Sequence, residues 1–174
     1  MPARGEHDDF ETAKAVVQAG LAALAGGDWE MVRSLSREDS EHVTREGVFR
    51  GPERMISEFA PQLDRWTISF DLEELIDAGG GALVLLLEVE RRNPRTGKVG
   101  WKAWPAVVVR IHGSKVAYME GYIDRRKALE DLGLPPAVKA AQKQVEGPGL
   151  SAAQHPSDGG SAGLRSRAAA TLPG

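Results

Sequence analysis

At 174 residues, 41% hydrophobic and 27% charged, the chain is long enough for one domain with a real core and too short to suggest two. A formal net charge of −3 argues against capture of nucleic acid or anionic lipid, and the absence of cysteine excludes disulfides, thiolate nucleophiles and cysteine-held metals. The longest apolar run, Ala82 to Leu87, is far too short to span a bilayer and no signal peptide is readable, so no membrane partner and a cytoplasmic protein are expected.

Residues 1–8 read as a flexible leader. A first helix is expected from Asp9, whose carboxylate suits the orphan N–H groups of a first turn, with Phe10, Ala13, Val17, Leu21 and Leu24 as its apolar stripe and Gly26-Gly27 as its stop. Asp28 caps a second, short helix carrying Trp29, Val32 and Leu35. Between Glu38 and Phe49 the period shortens to that of a strand, with His42 and Thr44 on one face. Gly51-Pro52 opens a third helix that buries Met55, Ile56, Phe59 and Leu63 and is loosened by Pro61. From Trp66 to Asp124 the pattern predicts antiparallel sheet in runs 67–77, 82–92, 99–111 and 115–124, separated by turns at Ala78–Gly81, Asn93–Gly97 and His112–Ser114. Pro105 removes a ladder donor inside the third run and predicts an edge or a bulge there. A last helix over Arg125–Leu132 is closed by Gly133 and Pro135-Pro136. Residues 137–146 are expected to add one short helix, and 147–174 hold too few large apolar groups to order themselves, which predicts a disordered tail.

In the central strand Val84 and Leu86 oppose Leu83, Leu85, Leu87 and Val89, and Val107, Val109 and Ile111 oppose Ala106 and Val108. A sheet covered on one side only should alternate apolar with polar; this one is apolar on both faces. The helices of one chain can cover one face, so the expectation is a homodimer through the other, the alternative being that the last helix or the tail folds back over it.

This order of helix, helix, strand, helix and four-strand meander comes with local words. They are Phe49-Arg50-Gly51-Pro52-Glu53, Glu73-Glu74-Leu75-Ile76-Asp77-Ala78-Gly79, Gly113-Ser114-Lys115-Val116, and Tyr122-Ile123-Asp124 followed by Ala128 to Leu134. Together they resemble the SnoaL-like family of the nuclear-transport-factor-2-like (NTF2-like) superfamily over roughly residues 10–134. The resemblance implies an α+β domain over 9–136, in which N-terminal helices pack on a strongly curved antiparallel sheet to form a cone with an internal pocket for a small hydrophobic ligand. Two enzyme branches of that family place functional carboxylates at positions that here read Glu88-Val89-Glu90 and Gly121. The arginine of the epoxide-hydrolase pattern is missing from the first, and the closing-strand acid is missing from the second. Glu120 lies one residue early and would need a bulge to reach the pocket.

The candidate catalytic residues are Glu90, as the proton-transfer group, and His42, a base or acid near neutrality. Glu88 and Glu90 share a face, and two carboxylates in an apolar cavity would have one pKa raised; at the strand's end they would simply be solvated and paired with Arg91, Arg92 or Lys98. Thr44, Glu88 and Tyr122 are candidate substrate-binding groups, and Trp66 and Trp101 offer flat walls. The four histidines have no metal-ligand spacing, and no phosphate loop or dinucleotide motif is present, so neither a metal nor a cofactor is expected. Two functions follow. One is cofactor-independent acid–base chemistry (isomerisation, cyclisation, dehydration or epoxide opening) on a polyketide- or terpenoid-like metabolite. The other is a non-catalytic small-molecule-binding or dimerisation module of the same fold.

Overall fold

Asp28 does locally what its position predicts, its carboxylate accepting the Met31 N–H at 3.0 Å, and Asp124, not anticipated as a cap, accepts the Arg126 N–H at 2.9 Å in the same way. The computed structural model describes residues 4–136. The expectations for residues 1–3 and for everything from 137 onward lie outside the described residues. The elements are α1 Arg4–Gly26, α2 Trp29–Leu35, β1 Ser36–Thr44, β2 Gly47–Arg50, α3 Glu53–Leu63, β3 Thr67–Gly79, β4 Ala82–Arg92, β5 Val99–Ala103, β6 Ala106–His112, β7 Lys115–Tyr122 and α4 Arg125–Asp131. α1 begins ahead of Asp9, so residues 4–8 extend the helix instead of forming a leader.

The seven strands form one sheet in the order β2-β1-β7-β6-β4-β3, with β5 pairing β4 beside β6. The meander β3-β4-β6-β7 is antiparallel as expected, but the sheet is mixed: β1 lies parallel to β7, with His42 opposite Met119. The expected single strand near Glu38–Phe49 is a hairpin, β1 and β2 turning back at Thr44–Gly47.

Two cores lie on the two faces. The inner face of β4 (Leu83, Leu85, Leu87, Val89) packs with Val109 and Ile68 beneath Ala13 and Val17 of α1. A neighbouring cluster joins Ala23, Leu24, Val32, Met55 and Ile56 where α1, α2 and α3 meet. On the outer face Val84, Leu86, Ala106 and Val108 are covered by Ala128 and Leu129 of α4, and Val84, Leu86 and Ala106 are 0% exposed in a single chain. This corrects the premise of the dimer expectation. The last helix folds back over the second apolar face, so that face gives no argument for another copy of the chain.

The seat of α4 follows from Pro105. Leu87 donates its N–H to the Pro105 carbonyl at 3.1 Å, but proline has no N–H to return to the Leu87 carbonyl. The ladder breaks there, into β5 and β6. The guanidinium of Arg125, 0% exposed, donates to that carbonyl and reaches Glu73 on β3 at 2.8 Å. Glu73 is the residue skipped by the register between Leu72 and Glu74, so a bulge turns it toward α4.

Candidate functional site

The hollow between the helices and the inner sheet face is a cavity of about 120 Å3. α1 contributes Val17, Gly20 and Leu21, α3 contributes Met55 and Phe59, and the sheet contributes Leu85, Val109 and Met119 among others. Ser36 is the one polar side chain among the described lining residues, and its hydroxyl is spent on the Val32 carbonyl at 2.8 Å. No titratable group lines the cavity among the described residues. Gly20 sits inside α1, and a Cβ built on it would meet nothing within 4 Å. A larger groove, about 750 Å3, runs between the start of α1 and the β3–β4 and β6–β7 turns, past Asp9, Asp77 and His112; Asp77 there accepts from the Gly79 N–H at 2.8 Å and so braces its own turn.

Side-chain alternation decides where the candidate residues go. His42 lies on the inner face, 5% exposed, beside Met119, with its Nε2 3.4 Å from the Ser40 hydroxyl. Burial lowers its pKa from the ordinary 6.5, Glu58 opposing weakly, so the ring is neutral at pH 7. Glu88 and Glu90 alternate with Leu87 and Val89 and therefore sit on the outer face, so His42 and Glu90 do not converge. Lys102 reaches Glu88 at 2.6 Å and Glu90 at 3.0 Å, Arg92 reaches Glu90 at 2.5 Å, and the Trp104 indole N–H donates to Glu88 at 2.9 Å. The Lys102 hydrogen bond lowers the pKa of Glu90, the reverse of the rise expected in an apolar pocket. Arg92 is one of the expected partners; Lys102 joins it because it lies directly across the ladder from Glu90, whereas Arg91 points to the other face.

Thr44 serves the hairpin: its hydroxyl accepts from the Glu46 N–H at 3.1 Å. Tyr122 stands opposite Ala106 on the outer face, against α4. Burial and a hydrogen bond to Glu120 raise its pKa, and Tyr118, which donates to Glu120 at 2.6 Å, is pushed up to about 12 by the same causes. Glu120, paired in plain register with Val108, keeps to the outer face. Gly121 faces inward beside the cavity-lining Val107, and a Cβ there would meet nothing within 4 Å. At one end of the inner face Trp101 lies under Arg91, which sequence reasoning had treated only as a partner for the carboxylates, and the Trp66 ring lies against Gly100, the residue before Trp101. Arg125, also unanticipated, had one signal: a missing donor at Pro105 requires a replacement.

No family model matches the chain, and no curated protein is similar to it. Solved structures do match. An NTF2-like protein from Anabaena variabilis ATCC 29413 aligns with a TM-score of 0.58 at 19% identity, over 70% of this chain and 92% of that one.

The chain has the NTF2-like fold.

An LEH-like epoxide hydrolase of M. tuberculosis aligns at TM-score 0.54 and 17% identity, over 70% of this chain and 90% of its own. A SnoaL-like protein from Shewanella denitrificans OS-217 aligns at 0.52 and 14%, over 70% and 96%. At these identities the likeness to NTF2-like proteins carries the architecture alone, and the α+β cone implied by the sequence words is met. Among the described residues no helix is long and apolar enough to cross a membrane.

Proposed function

We propose that this NTF2-like chain is a non-catalytic binder of one small, uncharged, apolar molecule held in the cone. The observation that supports this reading is the lining of the 120 Å3 cavity, in which the only polar side chain among the described residues is already hydrogen-bonded. A dry apolar void of this size takes a ring of about benzene's size, well below the roughly 300–1,000 Å3 of pockets for larger ligands. A polyketide or terpenoid therefore does not fit without opening the cone. Acid–base chemistry lacks the carboxylate it needs inside: Glu90 is outside and held ionised by Lys102 and Arg92, and Gly121 offers none.

A second reading has one observation in its favour. His42, buried and neutral beside the cavity-lining Met119, could serve as a proton acceptor for a substrate that enlarges the cavity.

Thermal-shift and calorimetric titrations with benzene, toluene and indole test the proposal. Toluene or benzene should raise the melting temperature in a saturable way. Gly20→Leu, which directs a side chain into the void, should abolish the shift, while Glu90→Gln and His42→Asn should keep it. A shift unchanged by Gly20→Leu, or no shift with any of the three compounds, contradicts it. Turnover of a larger substrate, lost in His42→Asn and kept in Glu90→Gln, would select the second reading.

A further inference from the structure

The inner row of β4 runs Leu83, Leu85, Leu87, Val89 and then Arg91: an apolar row ends in a guanidinium. Arg91 stands abreast of Ile68 on β3 and of Trp101 on β5. Ile68 is 3% exposed and part of the core beneath α1, which places this end of the row on the inner face. The Arg91 Cζ lies 4.6 Å from the centroid of the Trp101 ring. Next to Trp101, a Cβ at Gly100 would fall 2.7 Å from the Trp66 ring, so a glycine there is what lets Trp66 lie against the strand. Three planar groups thus gather at one end of the cone, and none of them lines the 120 Å3 cavity.

Arg91 differs from the arginines of the fold that hold a carboxylate. Arg33, Arg37 and Arg54 each hold a carboxylate, and Arg92, next in sequence but on the opposite face, holds Glu90. Arg91 is half-buried, its Nε is fully buried, and among the described residues that Nε has no hydrogen-bond acceptor. Burial lowers its pKa with no acid opposing the shift, though a guanidinium stays charged near neutrality. Strand pairing also brings together segments 64–67 and 90–99. These hold Arg65, Arg91, Arg92, Arg95 and Lys98 against Asp64 and Glu90, a positive end on a chain of net charge −3.

A guanidinium stacked on an indole has its face covered and its edge left for acceptors, and a carboxylate matches that edge with two oxygens. The flanking indoles favour a flat, polarisable body attached to the acid. We propose that Arg91, Trp101 and Trp66 form a binding site for a carboxylate carried on a planar ring, that is, for an aromatic acid. The site shares no residue with the cavity in the cone, so either assignment can fail without the other.

Tryptophan fluorescence and calorimetric titration of the full chain with benzoate and indole-3-acetate test it, with acetate and inorganic phosphate as the bare carboxylate and the generic oxyanion, and toluene as the uncharged ring. Benzoate should bind saturably and at least tenfold more tightly than acetate or phosphate. Arg91→Gln should weaken benzoate at least tenfold, with Arg91→Lys in between because it keeps the charge and loses the fork. Arg50→Gln, on the far edge strand, should change nothing. Should Arg91→Gln fail to fold, Trp101→Leu, at an exposed position on β5, reads the same site and should weaken benzoate several-fold. Absence of saturable benzoate binding, wild-type affinity in both variants, or acetate and phosphate binding as well as benzoate would each overturn the assignment.

Discussion

Gly20 stands in the middle of a 23-residue helix, where glycine costs about 0.5–1 kcal/mol relative to alanine. No neighbour demands it, since a Cβ would meet open space. Gly20→Ala should therefore stabilise the fold by about 0.5–1 kcal/mol in urea titration, while reducing affinity for toluene; a loss of stability would show that the void is not there. His42 gives a second prediction. Its folded pKa lies below the ordinary 6.5, so its contribution is intact above pH 6.5 and is lost as the pH falls and the unfolded chain takes up the proton first. His42→Asn should flatten the stability profile below pH 6.5, and an unchanged slope would contradict burial of the ring. Glu90 has the same sign in a lower window: its folded pKa is depressed by Lys102, so stability present above the ordinary 4.5 is lost on acidification through the folded value. Glu90→Gln should shrink the acid limb alone. At this scale the sequence showed that Glu88 and Glu90 share a face, because alternation is local. It could not show which face, because that depends on where α1 and α4 land, and both lie far away in the chain.

At the scale of elements, α4 depends on one side chain. Arg125 supplies the donor that Pro105 lacks and meets Glu73 where β3 bulges. Arg125→Met leaves the covered Leu87 carbonyl without this donor and removes the ion pair to the partly exposed Glu73, a loss of about 1–3 kcal/mol for a buried acceptor left unmade. Equilibrium unfolding should register that loss. A change near zero would mean that α4 is held by Ala128 and Leu129 alone. The helices and the meander were legible because their signals are short-ranged: Asp28 as a cap, Gly-rich turns, period two in β4. The parallel pairing of β1 with β7 was not, since no turn joins those strands and nothing near Ser36–Thr44 names a partner so distant in sequence. Pro105 announced a break in the ladder, but its repair by Arg125 required the third dimension.

At the scale of the whole molecule, the sheet divides two environments. The outer side carries α4, then the network of Glu88, Glu90, Lys102 and Arg92; the inner side holds the core, the cavity and, at one end, Arg91 against Trp101. At about 24 cal/mol per Å3, a 120 Å3 void costs roughly 3 kcal/mol when empty. That is a sizeable fraction of an ordinary domain's stability, and a bound apolar molecule would offset it. Diffraction from crystals pressurised with xenon probes this hollow directly. The account predicts a xenon atom among Leu85, Val109, Met119 and Phe59, with no ordered water there; water hydrogen-bonded in the same space, or no xenon at all, would contradict a dry apolar cavity as the heart of this fold.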